Sequence, residues 1–560
     1  MMKVSELPYE RYTIEQAREQ ADAIMRQIAD AKSGEDLAQA RLAFLKLSES
    51  VETAYSLANC RFTLNTRDPF YSAEMDYYDA TIPLFTQLQN RYEKAMLDSP
   101  QRAAAEGLIP ARVFAGFELS QKTFSDAVID DLAAENALVT KYSRFMGDLL
   151  FDFDGEKMPL SVLRGKLEDT DRDVRRRAAE AIGRGLEAHS ETFDDIYDSL
   201  VKIRTQIAQK LGYENYIPLG YARMGRIDYD AQMVAAFRES VRTQLVPVVA
   251  QLKEAIRQTF GWERVMFYDN EINVEGRTPA PVIDTPEIFR QAQQMYDAMR
   301  PEIGDFMRRM REAEAFDVEA REGKWGGGYC TTFPLYKQPF ILANFNGSAS
   351  DIDTITHEFG HALAADVAFK ADTKSDLPLG METCECHSMS MEFFCHPFME
   401  RFFGARSDAY CVKHTIDALS FIPYGVIVDE FQHRVYEKPD MTPEERKTVY
   451  RSLEKTYRPY LSYEGIAYLD QGTRWQYQMH IFESPFYYID YCLAQCVALG
   501  FYALSLHDYE DALARYLQFL RDSGSIGFEE LTRRAGLGSP FAPGSLDRII
   551  ADCKAILGLA

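Results

Sequence analysis

The sequence predicts a mainly α-helical protein with more than one lobe and very little β structure. Three observations predict it. Apolar residues recur at helical spacing over long stretches, above all 35–64 and 70–98. Strand-like patterns are confined to two places, near 148–162 and 324–347. A chain of 560 residues also exceeds what one ordinary hydrophobic core organises.

Composition narrows the functional classes. Apolar content of 46% is that of a globular protein. A net charge of −24 repels phosphate backbones, which argues against a nucleic-acid partner. The nine cysteines are scattered without a disulfide spacing, which fits a reducing, cytoplasmic setting. The first ten residues carry no apolar run, so no secretory signal is expected. The longest apolar stretch, 491–506, is interrupted by Gln495 and short for a bilayer. It reads as a buried helix, with no membrane partner.

In chain order, Thr13 and Gln16 form a capping-box pattern at the start of a helix over 13–31. Helical periods follow at 35–64, 70–98 and 122–146. The run from Leu149 to Leu160 reads as a hairpin turning at Asp154-Gly155, and a soft boundary falls there. The expected organisation is an N-terminal helical lobe, 1–150, followed by a region 151–560. Helices resume at 169–211, where Arg172, Arg175, Arg176 and Arg177 alternate with acids and read as a solvated face. Further helices fit 229–259 and 285–315.

The main β signal spans 324–347, with strands at 329–335 and 339–345. Gly326 to Gly328 allow close approach of another chain, and Pro334 and Pro339 suit an edge strand. Such an edge either pairs with an extended peptide or is a plain structural hairpin. The first option makes Phe345 and Gly347 candidate substrate-binding residues.

The helix expected directly afterwards, near 350–370, carries His357-Glu-Phe-Gly-His361. Residues four apart lie on one face of a helix, so both imidazoles address one point. That supplies two ligands of a tetrahedral zinc site. Glu358, about 100° further round, falls beside the metal, where a carboxylate can act as general base. Ser350 with Asp353, and Ser348 with Asp351, are capping-box-like starts. Ile352, Ile355, Phe359 and Leu363 mark the buried face, and Gly360 implies that something packs close to the backbone. Asp353 fits either the helix start or the orientation of His357. The bland alternative is a buried helix with two satisfied histidines.

A polar loop, 370–378, leads to a second helix near 381–396. Glu382 and Glu385 are candidate third ligands, with Cys384, Cys386 and His387 as rivals. Glu385, Met389 and Glu392 share a face, which allows Glu392 to stand behind the metal.

His-Glu-Phe-Gly-His followed by Glu385-Cys-His-Ser-Met-Ser-Met-Glu392 resembles the thimet oligopeptidase and oligoendopeptidase F family, with the nearest likeness to bacterial Pz-peptidases. The family's pattern has a liganding Glu followed by another seven residues later, which selects Glu385 over Glu382. A further segment, His480-Ile-Phe-Glu-Ser-Pro-Phe-Tyr-Tyr488-Ile-Asp-Tyr491, also matches. By the resemblance, His480 and Tyr491 bind the scissile carbonyl and Tyr488 helps hold the substrate. The resemblance implies a two-lobed, prolate helical zincin with a deep central channel and a small β-sheet beside the metal helix. It implies one Zn²⁺ per chain on His357, His361 and Glu385, and cleavage of short unfolded peptides. An aminopeptidase or carboxypeptidase, and a non-catalytic peptide-binding scaffold with a structural metal, are the alternatives.

Overall fold

A computed structural model describes residues 1–272, 279–371 and 379–558. Of the polar loop expected at 370–378, residues 372–378 lie outside the described residues. The fold is mainly α, as expected. Among the described residues the strands are short: β1 (Leu150–Phe153), β2 (Glu156–Pro159), β3 (Phe316–Glu319), β4 (Tyr329–Phe333) and β5 (Gln338–Phe345).

Two compact units are built from interleaved segments. The first comprises Met1–Gln121, Ala280–Ser407 and Asp508–Ala535. The second comprises Lys122–Pro279, Asp408–His507 and Gly536–Ala560.

The first unit opens with helices Ile14–Asp30, Gly34–Leu64 and Pro69–Asp98. The Thr13/Gln16 capping box forms as expected, and Ser33 with Asp36 makes a second. Ile24, Leu37, Phe44, Leu88 and Tyr92 pack together, with Phe44 stacked on Tyr92 at 3.8 Å. The expected helix over 285–315 is two helices, Thr285–Met299 and Pro301–Glu312. Arg300 between them is extended (φ −161°, ψ 141°), because the ring of Pro301 disfavours a helical residue before it.

These helices lead into a three-stranded sheet of order β3-β5-β4. β4 and β5 are the expected hairpin, paired antiparallel from Tyr329↔Leu342 to Phe333↔Gln338. β3 runs parallel to β5 and has no counterpart in the sequence reading. It makes β5 the central strand, so the expectation that 339–345 is an edge is corrected. Pro339 is tolerated because β3 begins opposite Ile341, leaving one flank of Pro339 unpaired. The edge beside the motif helix is β4.

In the second unit, β1 and β2 form the hairpin expected at 148–162. Asp154 (φ 54°) and Gly155 (φ 88°) make the two-residue turn that matches strand twist. The helix expected from 122 begins at Ile129, after a single 3-10 turn. Helices Arg172–Glu187 and Ser190–Lys210 follow. The basic run is only partly a solvated face. Arg175 is buried and donates to Asp269 Oδ1 at 2.9 Å, while Arg172 donates to Oδ2 at 2.8 Å. Asp269, itself fully buried, neutralises the charge that solvent was expected to carry.

The apolar stretch near 491–506 lies in helix Tyr488–His507, whose Ile489, Leu493, Val497 and Phe501 are buried. The helix is longer than the stretch. It and Glu400–Glu437 are long and apolar enough to cross a bilayer by those criteria alone, but both are mostly buried in the protein.

Candidate metal centre

The motif sits on helix Ser350–Lys370. Neither expected capping box forms. Instead the Asp351 carboxylate accepts the N–H groups of Asn346 (2.9 Å) and Gly347 (2.7 Å). Gly347 has φ 79°, and the tight turn it allows brings loop donors to Asp351 in place of helix donors. Ile352, Ile355, Phe359 and Leu363 are buried as expected, with Phe359 stacked on Tyr296 at 3.9 Å.

Gly360 explains how the third ligand arrives. A Cβ there would lie 2.6 Å from the His387 carbonyl oxygen and 2.7 Å from Ser388 Cα. The helix Met381–Phe394 therefore crosses at backbone contact, as the glycine implied. That crossing delivers Glu385 to the two histidines. Ligand atoms of His357, His361 and Glu385 all lie within 4.8 Å of one another. Glu385 Oε2 is 3.5 Å from His357 Nε2 and 3.9 Å from His361 Nε2. A tetrahedral zinc with bonds near 2.0–2.2 Å needs ligand atoms roughly 3.4 Å apart, so this donor set fits the ion with small adjustments.

The surroundings suit that use. His357 Nδ1 lies 2.6 Å from Glu392 Oε1, which leaves Nε2 on the side of Glu385. Glu392 thus fills the orienting role considered for Asp353. Burial, then the charge on His357, pushes the His361 pKa down to about 4, so it is a neutral nitrogen donor at pH 7. Burial also opposes charge on His357, but hydrogen bonds to Glu385 and Glu392, and their charges, hold its pKa well above normal. Without a cation, the proton on His357 offsets the carboxylates. Glu358 is buried, and desolvation pushes its carboxyl up to about 7, against the opposing charge of His357. The Cys330 N–H on β4 faces that carboxylate and favours its charged form.

The rival ligands stand elsewhere. Glu382 accepts from Thr383 Oγ1 at 3.2 Å. His387 Nε2 meets Ser523 Oγ at 2.9 Å, and burial pushes its pKa down to about 3. Cys386 is fully buried and Cys384 half-buried. Phe345 is half-buried, facing Phe289 at 6.4 Å between ring centres, and Gly347 is exposed with its N–H committed to Asp351.

His480, Tyr488 and Tyr491 belong to the second unit and form one ring cluster. The His480 ring lies 4.9 Å from Tyr488 and 6.0 Å from Tyr491. Tyr424 Oη donates to Gln478 Oε1, which turns the Gln478 amide nitrogen onto His480 Nδ1 at 2.8 Å. His480 Nδ1 accepts, so Nε2 carries the ring proton. Between His480 and Tyr488, Phe486 holds φ 66°. Arg226 donates to its carbonyl, and its N–H donates to Gln432 Oε1 at 3.1 Å. Sequence reasoning missed Gln478, Phe486 and the Cys330 N–H. A backbone donor has no sequence signature, and Gln478 is identified by its place in the hydrogen-bond chain.

Known proteins match this chain over most of its length. The Peptidase M3 N-terminal domain matches residues 4–124, and Peptidase family M3 matches residues 166–549. The Bacillus subtilis (strain 168) protein Oligopeptidase PepF is 23% identical over 246 residues, covering 42% of this chain and 35% of that one. The chain therefore aligns with about a third of that relative's length. An X-ray structure of a protein assigned as oligoendopeptidase F has TM-score 0.91 at 41% identity, covering 100% of this chain and 99% of that chain. PZ peptidase A, solved with an inhibitor, has TM-score 0.91 at 41% identity, covering 99% of each chain. A protein from Bacillus anthracis str. Ames, also assigned as oligoendopeptidase F, has TM-score 0.87 at 37% identity, covering 100% and 98%. The second of these matches takes in both the motif helix and the His480 cluster, and the chain belongs to peptidase family M3.

Proposed function

We propose that this protein is a zinc-dependent endopeptidase that hydrolyses short, unstructured oligopeptides. The observation that carries the reading is the convergence of His357, His361 and Glu385 within 4.8 Å, with the buried carboxyl of Glu358 next to them in sequence. The names of the similar proteins, oligoendopeptidase F and PZ peptidase, support the choice of substrate. We also place it in the reducing cytoplasm, a reading supported by its scattered cysteines.

His357, His361 and Glu385 would hold the ion. When bound, zinc supplies Lewis acidity, polarising a carbonyl and making water acidic near neutral pH. Glu358 takes the proton of the attacking water and returns it to the leaving amine. Glu392 fixes the tautomer of His357. From the family resemblance we carry over His480 and Tyr491 as donors to the carbonyl oxygen as it gains charge, each worth roughly 3 kcal/mol. The proton on His480 Nε2 supports that role. Tyr488 is carried over as a substrate contact.

The test is cleavage of a peptide blocked by N-acetyl and C-amide groups, before and after chelation and after return of zinc. Internal cleavage that is lost on chelation and restored by zinc is expected. Cleavage restricted to peptides with a free terminus would make the protein an exopeptidase. Chelator-insensitive metal retention without hydrolysis would make it a scaffold with a structural ion.

A further inference from the structure

A buried polar cluster lies wholly within the second unit. Arg458 and Arg474 lie within electrostatic reach of each other, of Glu454 and of Tyr463, and Tyr450 lies within reach of Arg474, Glu454 and Tyr463. Tyr424 is shared between the guanidiniums. Arg474 lies 3.7 Å and Arg458 5.5 Å from its ring centre. Of the other charged neighbours, Arg451 is bonded to Asp470 and stands 3.9 Å from Glu454 Oε2, and Lys253 and Glu271, both within electrostatic reach of Arg458, offset each other.

The interior is starved of acceptors. Nε and Nη1 of both Arg458 and Arg474 are buried with no hydrogen-bond partner among the described residues. So are the hydroxyls of Tyr450, Tyr460 and Tyr463. Tyr460 faces Arg458 and Tyr463 faces Glu454, but neither hydroxyl reaches good hydrogen-bond geometry among the described residues. Seven donor atoms thus face two carboxylate oxygens, those of Glu454, which are themselves unbonded. An unsatisfied buried donor costs about 1–3 kcal/mol, more when charged. Several together call for an occupant that accepts.

Charge selects the kind of occupant. With Arg451 matched by Asp470 and Lys253 by Glu271, the two guanidiniums against the Glu454 carboxylate leave one net positive charge in a buried space. Bridging water would satisfy hydrogen bonds but leave that charge uncompensated. A single small monoanion answers both needs. We propose that Arg458 and Arg474, with the Tyr450 hydroxyl beside Arg474 and the Tyr460 hydroxyl beside Arg458, form a binding site for a chloride-sized inorganic monoanion. The site itself does not depend on the peptidase reading.

The experiment uses the full-length, zinc-loaded protein dialysed into sodium gluconate. It is then titrated with sodium chloride, or sodium bromide, at constant ionic strength. A ligand that binds only the native state raises Tm as a saturating function of its concentration. A saturable Tm increase with chloride and with bromide is expected, and Arg474→Gln and Arg458→Gln should each remove it while zinc content stays unchanged. Arg451→Gln should retain it. Crystals grown in bromide should show an anomalous peak between the two guanidiniums. The proposal is overturned if chloride and gluconate give superimposable Tm curves, or if the bromide crystals show only water between the two guanidiniums. Should the arginine variants not fold, the wild-type titration and the bromide map decide the matter between them.

Discussion

His357 Nδ1 and Glu392 Oε1 are 2.6 Å apart, a bond that joins the two helices of the candidate metal centre through a group that does not face the ion. It sets which nitrogen of His357 is offered as a ligand. Glu392→Ala should therefore weaken zinc binding by roughly 10–100-fold while leaving all three ligands in place. Competition with a chromophoric chelator measures this, and Glu392→Gln should lose less because its amide oxygen still accepts. Equal affinities in all three proteins would mean that another group orients the ring.

Gly360 sets two magnitudes against each other. In an exposed helix, replacing Gly by Ala stabilises by about 1 kcal/mol. Here the new Cβ would lie 2.6 Å from the His387 carbonyl oxygen, which is backbone and cannot swing aside. Forcing an extra methyl into a packed contact costs about 1–3 kcal/mol. Gly360→Ala should therefore be destabilising in denaturant unfolding. It should also weaken zinc binding, since the helices carrying His361 and Glu385 must separate. A variant more stable than wild type would refute the contact.

Local and distant determinants separate cleanly in this chain. The histidine pair, Glu358 and the buried face of the motif helix were legible because helical periodicity alone places them. Gly360 was legible as a close approach, though not what approached. The choice of Glu385 over Glu382 needed the family's spacing to Glu392, because both carboxylates lie on one short helix. The features that were not legible depend on partners far along the chain. Arg175 looks solvent-facing until Asp269, 94 residues later, is brought against it. β3 is four residues long, and only its parallel pairing with β5 makes it a strand. Asp351 resembles a capping residue, yet the turn at Gly347 supplies it with nearer donors.

The ring cluster of the second unit can be tested by removing one atom. Tyr491→Phe keeps the ring packing against Tyr488 and deletes the hydroxyl. Loss of a carbonyl-directed donor should lower kcat on the order of 10²-fold with zinc content unchanged. Gln478→Leu should act on the same step indirectly. It removes the donor to His480 Nδ1, so the ring proton is no longer confined to Nε2. Its kcat loss should be smaller than that of His480→Ala, and absent in an H480A background. A full Gln478→Leu effect in that background would show that the amide acts elsewhere.

Glu358 links stability and activity to pH with opposite signs. Burial pushes its carboxyl from 4.5 to about 7 in the metal-free protein. A raised folded pKa means the native state holds a proton that the unfolded state has released between those values. Metal-free stability should therefore fall as pH rises from 4.5 to about 7, by roughly 3 kcal/mol at most. Glu358→Gln, which keeps the neutral form, should flatten that slope in denaturant titrations. Catalysis needs the carboxylate instead, so kcat/KM should fall as pH drops. A dication beside the carboxylate draws its pKa down, which places the acid limb at saturating zinc below 7. Glu358→Gln should retain zinc and lose turnover on the order of 10²–10⁴-fold at every pH. A variant that cleaves peptide at the wild-type rate with the same acid limb would remove Glu358 from the reaction.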